Sequence, residues 1–542
     1  MKQASGLVFS LFILLSSCGY QPTDEGKKVF RYNEAANITT LDPAFARDQA
    51  IIWATNQMFN GLVQLDDRLR VRPCIAKSWE ISPDGLTFTF HLRKDVFFHD
   101  NPVFPDGQGR RVVARDFVYS FTRVVDKKTA SPGAWVFNLV EERNGNFSFN
   151  DLNDSTFVIR LRKPFSPFLG ILTMQYCSVV PREAVEHYGN DFRRNPVGSG
   201  PFIFKIWKEG VKLVMVRNPR YFEFTGGTRL PYLDAVSVTF QPDKQSAFLE
   251  FIKGKLDFMS GIDPTYKDEV LDRQGRLKEK FKNRIYLITQ PYLNTEYLGI
   301  NVDPLSPGGK DSPLLNRDLR KAVGHAFDRS KMIHFLRNNI GTPGLYGIVP
   351  PGLPSFDSTA LFCDYDPRAS RSYIQKAGFA AGQELPQFTL TSTSDYLDIC
   401  KYIQHQMGEQ GIEMKIETSP PASVKELKAQ AKLSFFRASW IADYPDAENY
   451  LSMFYSRNFC PQGPNYTHFS NKEFDRIYEQ AMAERVDSVR FQLYRKMEKI
   501  VMDEAPVIIL YYDQVLRFVQ KNVTGTGSNP MNLLTLKNVR KL

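Results

Sequence analysis

The sequence predicts a fold of mixed α/β and α+β character that is divided into more than one lobe. The chain has 542 residues, which is more than one hydrophobic core usually organises, so we expect two or three lobes. Apolar residues make up 42% and charged residues 24%, which is ordinary for a folded protein and excludes a disordered or fibrous chain. Segments with helical and with strand periodicity follow one another, and no repeat or low-complexity block interrupts them.

The first half of the chain is predicted to alternate short strands with amphipathic helices. Leu86, Phe88, Phe90 and Leu92 alternate with polar residues, as in a strand that buries one face. Helical spacing and turn residues delimit the other elements. The predicted elements, in order, are a strand at 28–32, a helix at 50–60 that stops at Gly61, a strand–turn–strand at 79–92, a helix at 114–125 and a hairpin at 201–216.

The second half of the chain continues the same mixture of elements. Helical periodicity predicts helices at 317–336, 396–410 and 487–502. Short β-type runs predict strands at 388–390 and 413–417 that flank the second of these helices. Both halves therefore support the mixed fold class.

The N-terminus predicts export and lipid attachment. Lys2 precedes an apolar run at 7–15 that is too short to span a bilayer, so we interpret it as an export signal. Leu15-Ser16-Ser17-Cys18 resembles the bacterial lipobox, where cleavage leaves an N-terminal cysteine that carries lipid; the alternative is an ordinary signal peptide followed by a chance cysteine. We therefore expect a signal peptide at 1–17, lipidation of Cys18 and a solvated tether at 18–27. The rest of the protein would lie outside the cytoplasm, in the bacterial cell envelope, anchored to the membrane by its lipid.

Charge and motifs exclude several classes of function. Lys and Arg outnumber Asp and Glu by 69 to 59, but the longest basic clusters, such as Arg110-Arg111 and Lys127-Lys128, are too short to bind nucleic acid. A mildly basic surface that faces an anionic membrane or a polar solute is the preferred interpretation. The sequence has no GxSxG, P-loop, GxGxxG or HExxH pattern, so we predict neither catalysis nor a bound cofactor or metal.

Five cysteines remain besides Cys18. An odd number of cysteines cannot all pair within one chain, and no CxxC pattern occurs. One or two disulfides are compatible with export, and the sequence leaves their pairing open among Cys74, Cys177, Cys363, Cys400 and Cys460.

Short motifs follow one another along almost the whole mature chain. They include Thr40-Leu41-Asp42-Pro43, Met58-Phe59-Asn60-Gly61-Leu62-Val63, Ile75-Ala76-Lys77-Ser78-Trp79-Glu80, Asp126-Lys127-Lys128-Thr129-Ala130-Ser131-Pro132, Pro196-Val197-Gly198-Ser199-Gly200-Pro201-Phe202, Tyr297-Leu298-Gly299-Ile300-Asn301 and Ser439-Trp440-Ile441-Ala442-Asp443-Tyr444-Pro445-Asp446. In this order they resemble the extracytoplasmic solute-binding proteins that serve peptide-type ABC transporters. The run at 126–132 is similar to the oligopeptide-binding branch in particular.

The resemblance implies a fold like that of the type II periplasmic binding proteins, with a two-lobed cleft and an extra third domain. The first lobe would be discontinuous and combine 28–60, 190–290 and 505–542, the second would be 61–189, and the third 291–504. Such a protein closes on its ligand by hinge motion, and the closed form docks on permease subunits in the membrane. We expect a monomer that binds a peptide and has no nucleic-acid partner.

Arg437 is the first candidate binding residue. Lys432 to Trp440 is predicted to be a mostly buried strand that carries Arg437 on one face. A buried Arg costs several kcal/mol unless it meets a carboxylate or lies on a wet cavity. From the residues alone, capture of a ligand carboxylate and an internal ion pair stay open; the resemblance favours the ligand carboxylate.

Asp443 is the second candidate. Turn and cap chemistry accounts for Asp446, which precedes a predicted helix start at 447–449, but leaves Asp443 unassigned. The resemblance implies that Asp443 pairs with the α-ammonium group of a peptide. For Trp440 a flat cleft wall and plain core packing are both open. The further candidates for the cleft wall are Trp135, Tyr511 and Tyr512.

One position departs from the family pattern. Where the oligopeptide-binding branch can carry an acidic cleft residue, this chain has Arg47. We expect 46–49 to form a strand that contributes Arg47 and Gln49 to the cleft and pairs with the backbone of an extended ligand. The reversed charge would change the preferred ligand length or side chains.

Three classes of function remain after this step. The first is a peptide-binding receptor for import, without catalysis. The second is a receptor of the same fold for a nickel complex, an oligosaccharide or an opine. A secreted hydrolase is the third, and it would need a nucleophile or metal that the sequence does not show. Arg437 together with Asp443 favours a zwitterionic ligand and therefore the first class.

Overall fold

The computed structural model of the protein describes residues 26–380 and 382–542. The predicted signal peptide, Cys18 and most of the predicted tether lie outside these ranges. Within them, none of the helices combines the length and the apolar character that a membrane span requires. The five cysteines whose pairing the sequence left open are all free thiols in the described part of the chain.

Short strands make up much of the described chain. In chain order they are β1 (Val29–Asn33), β2 (Val63–Leu65), β3 (Val71–Pro73), β4 (Ala76–Ile81), β5 (Thr87–Leu92), β6 (Glu142–Arg143), β7 (Asn146–Phe147), β8 (Phe149–Asn153), β9 (Thr156–Arg160), β10 (Phe202–Lys208), β11 (Lys212–Arg217), β12 (Phe224–Thr225), β13 (Thr228–Arg229), β14 (Ala235–Thr239), β15 (Phe258–Ser260), β16 (Ile285–Ile300), β17 (Thr342–Pro343), β18 (Phe388–Ser392), β19 (Met414–Thr418), β20 (Phe435–Ile441), β21 (Val507–Gln520), β22 (Val523–Thr524) and β23 (Arg540–Lys541).

Helices alternate with these strands, as expected for a mixed fold. They are α1 (Gln49–Met58), α2 (Ala114–Val125), α3 (Phe168–Ile171), α4 (Arg182–Tyr188), α5 (Lys244–Ile252), α6 (Pro264–Val270), α7 (Glu279–Lys282), α8 (Arg317–His325), α9 (Arg329–Arg337), α10 (Pro367–Lys376), α11 (Leu397–Gly408), α12 (Pro421–Ala429), α13 (Glu448–Leu451), α14 (Lys472–Ala483) and α15 (Asp487–Glu504).

One sheet of 11 strands runs through the described part of the molecule. Its order is β10-β11-β14-β1-β15-β21-β16-β20-β18-β19, with β17 beside β21. β16 and β21 are the two longest strands and pair antiparallel. β15 pairs with the second half of β21, whereas β20 pairs with the second half of β16. β16 and β21 therefore join the strands of the predicted first lobe to those of the predicted third lobe.

The register between β16 and β21 shifts twice. One shift lies between Pro291 and Thr295 and the other between Glu296 and Tyr297. Shifts of this kind bend a strand and increase its twist. The predicted lobe boundary at 290–291 falls inside β16, and the predicted boundary at 504–505 lies just before β21. The lobe boundaries themselves stay a prediction.

A second sheet, antiparallel in the order β4-β5-β9-β8, belongs to the predicted second lobe. Phe88, Phe90 and Leu92 are all at most 2% exposed, so the predicted buried face of β5 is confirmed. α2 packs on this sheet through Phe117 and Phe121, whose rings lie 5.7 and 5.6 Å from the ring of Phe157. The layer of helix on sheet gives this lobe its core.

Most predicted elements are present, and two differ. The helix predicted at 317–336 is two helices, α8 and α9, because Asp328 caps the second one and its Oδ1 accepts a hydrogen bond from the backbone N–H of Lys331 at 2.9 Å. The strand predicted at 46–49 is wrong. Asp48 takes the N-cap position of α1, so Gln49 is already helical and the residues before it are irregular.

The segment 442–504 packs against the second sheet. Its aromatic and aliphatic side chains join the same hydrophobic cluster as the second sheet, whereas α8, α9, α11 and the start of β21 build a separate cluster. Two hydrogen bonds stabilise this contact. The backbone N–H of Ser166 donates one to the carbonyl oxygen of Met482 at 3.1 Å, and the hydroxyl of Ser166 donates the other to the carbonyl oxygen of Glu484 at 2.6 Å. The loop that carries Asp443 therefore sits where parts of all three predicted lobes meet.

Candidate ligand-binding site

A cavity of about 320 Å³ opens at this junction. Segments from each predicted lobe contribute to its wall. The residues that line it are Ala46, Arg47, Gln49, Ile52, Trp53, Leu65, Trp135, Thr173, Met174, Gln175, Tyr176, Tyr292, Ile441, Ala442, Asp443, Met531 and Leu533. Four of the residues predicted from the sequence are therefore brought together here, namely Arg47, Gln49, Trp135 and Asp443.

Asp443 lies just beyond the C-terminal end of β20. Oδ1 of Asn449 accepts hydrogen bonds from the backbone N–H of Asp443 at 3.3 Å and from the indole N–H of Trp440 at 2.8 Å. Asn449 thereby fixes the turn that aims Asp443 at the cavity. Asp446 contributes the predicted cap, because its Oδ1 accepts a hydrogen bond from the backbone N–H of Glu448 at 2.9 Å.

The carboxylate of Asp443 has no ion pair within the described part of the chain. Its side chain is accessible from the cavity, but surrounding protein limits its hydration. This desolvation raises the pKa of Asp443 above its ordinary value, against a hydrogen bond with Asn449 that lowers it. A bound cation would remove the cost of the uncompensated charge. The site is therefore suited to an ammonium group.

Aromatic side chains form one wall of the cavity. Trp135 is 36% exposed, and its ring lies 6.3 Å from the ring of Tyr444. Tyr176 packs flat on the backbone of Gly133, where a Cβ atom would lie 2.3 Å from the ring. Burial, together with the charges of Asp443 and nearby carboxylates, raises the pKa of Tyr176 to about 12. Its phenol stays protonated at neutral pH and can donate a hydrogen bond to a ligand.

Arg47 and Gln49 also line the cavity. The side chain of Arg47 is 70% exposed, and its Nε lies 3.5 Å from Oδ2 of Asp48. Gln49 occupies the first position of α1. Because the predicted strand is absent, these residues offer side chains and a helix start to a ligand rather than a strand edge.

Arg437 does not line the cavity; the internal ion pair that the sequence left open is present instead. Its guanidinium contacts the carboxylate of Glu296 and lies 3.1 Å from the ring centroid of Tyr396. Burial raises the pKa of Glu296, against the opposing effect of the Arg437 charge. The contact of Arg437 with a ligand carboxylate stays a prediction.

The other three predicted aromatics also lie outside the cavity lining. Trp440 sits on the strand face opposite Ile441 and packs toward the core. Tyr511 is 1% exposed, with the guanidinium of Arg337 at 4.3 Å from its ring. Tyr512 is equally buried, and its hydroxyl donates a hydrogen bond to the carbonyl oxygen of Gly347 at 2.6 Å. These side chains are used within the fold.

Sequence reasoning missed several residues of the site. Tyr176 and Tyr292 lie in segments without any motif, and Asn449 lies six residues beyond Asp443. The signal that was present for Asn449 is its position at a predicted helix start, where Asn side chains bind backbone N–H groups. Among the described residues, no group of three or more His, Cys, Asp or Glu side chains could hold a metal ion.

Comparison with known proteins places this chain in a family. The model of the bacterial extracellular solute-binding proteins, family 5 Middle, matches residues 70–459. The glutathione-binding protein GsiB of Escherichia coli (strain K12) is 26% identical over 523 residues, which cover 94% of this chain and 93% of GsiB.

Two solved structures resemble the whole fold. HbpA2 from Haemophilus parasuis has a TM-score of 0.81 at 22% identity and covers 95% of this chain and 100% of its own. The periplasmic binding protein DppA from Helicobacter pylori, in complex with the peptide STSA, has a TM-score of 0.75 at 23% identity. The match covers 95% of this chain and 98% of the DppA chain. Both support the two-lobed periplasmic binding-protein fold.

The family match spans more than half of the chain, the fold agrees with it, and the cavity lies between lobes. The chain therefore belongs to family 5 of the bacterial extracellular solute-binding proteins, and it is a solute-binding receptor of the kind that serves ABC importers, not an enzyme.

Proposed function

We propose that the protein binds peptides through their α-ammonium group at Asp443 and delivers them to the permease subunits of an ABC importer. The observation that carries this proposal is the unpaired carboxylate of Asp443 in a cavity with an aromatic wall. Closure around a ligand would exclude water and strengthen the contact, because the effective dielectric constant falls. Similarity to GsiB and to a DppA bound to a peptide is consistent with such a ligand.

Substitution of Asp443 tests the ammonium contact. Asp443→Asn keeps the shape of the side chain and removes its charge, which leaves the ligand ammonium desolvated and unpaired. We expect a loss of about 2–5 kcal/mol, or roughly 30-fold or more in affinity, measured by isothermal titration with a tripeptide. Glutathione, a tripeptide with a free α-ammonium, belongs in the same panel of ligands.

A matched control and a blocked ligand make this test specific. Asp48→Asn removes an aspartate beside the cavity that is 63% exposed and pairs with Arg47, so affinity should change by less than about threefold. An amino-acetylated peptide should bind poorly to the native protein, and its affinity should fall little further in the Asp443→Asn variant. Equal affinity for free and acetylated peptides would contradict amine capture, and binding of sugars alone would contradict a peptide receptor.

We further propose that the receptor acts as a monomer held at the membrane by lipid on Cys18. The lipobox-like sequence supports this anchor, and the chain that follows it would act as a tether. A tethered receptor stays near its permease, which raises the effective concentration of the loaded receptor at the transporter.

A further inference from the structure

We propose that the ion pair with Glu296 neutralises the charge of Arg437. The cleft then binds a single charged group of its ligand, the ammonium group at Asp443, and does not bind a carboxylate at the other end of the ligand. The ligand class is then a primary amine whose far end is neutral, such as a peptide amide. This inference rests on the proposed capture of an amine at Asp443.

Arg437 stands on the strand face that leads into the cavity. Side chains two residues apart share a face, so Arg437, Ser439 and Ile441 lie on the same side of β20, and Ile441 lines the cavity. Four residues separate Ile441 from Arg437, which is about 13 Å along a strand. An extended tetrapeptide, at about 3.3–3.6 Å per residue, spans about 13–14 Å, so its carboxyl end reaches this region when its amine lies beside Ile441 and Asp443.

Glu296 already fills the place of such a carboxylate. In the antiparallel register Ser439 is opposite Glu296 and Leu298 is opposite Arg437, so Glu296 and Arg437 are diagonal neighbours on one face. Oε2 of Glu296 contacts Nη2 of Arg437, and the ring of Tyr396 covers the guanidinium. Only 3% of the Glu296 side chain and 10% of the Arg437 side chain are exposed. The pair is therefore shielded from an incoming anion.

The charge of Arg337 is balanced in the same way. Nη2 of Arg337 lies 2.8 Å from Oδ1 of Asp513 on the adjoining strand. Arg47 and Asp443 are the charged residues of the cavity lining, and Arg47 pairs with Asp48 at the rim. Among these described residues, Asp443 alone has no opposite charge beside it.

A ligand carboxylate gains little from this arrangement. To reach Arg437 it would have to displace Glu296 and leave that carboxylate buried without a counter-charge, which is strongly unfavourable. A neutral amide at the same place does not require the pair to open. The balance of charges therefore favours ligands with a net positive charge over zwitterions of the same length.

Titration with three forms of tetra-alanine tests the inference. The free acid, the carboxy-terminal amide and the amino-acetylated acid are compared with the native protein by calorimetry. We expect the amide to bind at least as tightly as the free acid. A free acid that binds more than tenfold more tightly than the amide would overturn the inference. Equal binding of the acetylated form, or no binding of any form, would overturn the proposed function and this inference with it.

Variants of the pair provide the second test. Glu296→Gln keeps the shape of the side chain and removes the charge that balances Arg437. The affinity for the free acid should therefore rise at least tenfold relative to the affinity for the amide. The control Glu409→Gln, on a half-exposed carboxylate just after α11, should leave that ratio unchanged. If the free acid gains no affinity relative to the amide in Glu296→Gln, while circular dichroism shows a native fold, the inference fails.

A double variant keeps the test decisive if the single variant does not fold. Glu296→Gln with Arg437→Gln removes both charges at once and leaves no buried charge uncompensated. We expect its ratio of free-acid to amide affinity to match that of the native protein within about threefold, because neither protein has a net charge at this position. A tenfold or larger loss of free-acid binding would show that Arg437 reads the carboxylate.

Discussion

Two buried glutamates, Glu448 and Glu498, carry pKa values close to neutrality. Glu448 accepts hydrogen bonds from the hydroxyls of Tyr444 and Tyr478, and Glu498 accepts one from the backbone N–H of Val349 at 2.8 Å. Neither forms an ion pair within the described chain. Burial raises the pKa of Glu448 to about 7 and that of Glu498 to about 8.

These raised pKa values predict a protein that loses stability as the pH rises. An unfolded glutamate has a pKa of about 4.3, so the folded state holds the extra protons. The resulting stability is fully present below that pH and is lost as the pH rises through about 7 and 8. Within this window each group costs up to about 1.4 kcal/mol per pH unit.

Glu498→Gln isolates one of these groups. The free energy of unfolding, measured with urea at pH 6, 7, 8 and 9, should fall less steeply in this variant than in the native protein. Glu186→Gln, on a side chain that is 56% exposed, serves as a control and should change stability little at any pH. Identical slopes for Glu498→Gln and the native protein would contradict the assignment.

The residues of the site show what sequence can and cannot predict. Asp443 was found because a motif marks it, and in the structure it lines the cavity, while its role in binding stays a prediction. The pairing of Arg437 with Glu296 joins residues 141 positions apart, and it depends on a strand register that no local pattern records. Tyr176 lies 267 positions before Asp443, and only the packing of distant segments brings the two residues into one cavity.

At the scale of elements, close approach of backbones fixes the junction of α1 with the loop at 196–200. The backbone N–H of Gly200 donates a hydrogen bond to the carbonyl oxygen of Met58 at 2.9 Å. A Cβ atom on Gly200 would lie 2.4 Å from the carbonyl carbon of Met58, and the ring of His99 binds the carbonyl oxygen of Gly200 at 2.9 Å. No side chain fits here without moving backbone.

Gly200→Ala should therefore destabilise the protein by about 2–3 kcal/mol, because overpacking forces a backbone shift. Gly408→Ala is the matched control, since its Cβ would meet nothing within 4 Å and it lies at the end of α11. That change should be neutral or stabilising by up to about 1 kcal/mol. Chemical denaturation measures both, and equal midpoints for Gly200→Ala and the native protein would exclude the close contact as a constraint.

Elements with a strong periodic pattern were predicted well, and elements decided by a cap were not. α2 begins and ends where its apolar stripe predicts, at Ala114 and Val125. The helix predicted at 317–336 breaks at Asp328, whose capping bond competes with helix continuation. Asp48 takes the N-cap position of α1 without a side-chain capping bond, and the helix that begins at Gln49 removes the predicted strand.

At the scale of the whole molecule, the anchor can be tested separately from binding. If Cys18 carries lipid, the mature chain begins at that residue and partitions into detergent. Cys18→Ser should leave uncleaved or soluble protein while its affinity for peptide stays unchanged, because all the residues that line the cavity lie at Ala46 or beyond. Mass spectrometry of the native N-terminus checks this, and a start elsewhere without an acyl mass would contradict it.

Closure of the cleft is the remaining expectation for the whole molecule. β16 and β21 are continuous strands that join the first and third predicted lobes, and their register shifts beside the cavity, between Pro291 and Thr295. Strands that are bent at such shifts can change the angle between lobes without breaking the sheet. The cavity is open and holds the unpaired Asp443, so a ligand that contacts both sides stabilises a closed form.

We therefore expect a bound peptide to make the protein more compact in solution. A compact chain of this length has a radius of gyration of about 24 Å, and small-angle scattering should show a decrease when a tripeptide saturates the site. Asp443→Asn at the same peptide concentration should show no decrease, because the ligand then lacks the contact that favours closure. An unchanged scattering curve for the native protein, at a concentration where calorimetry shows saturation, would mean that this ligand binds without hinge closure.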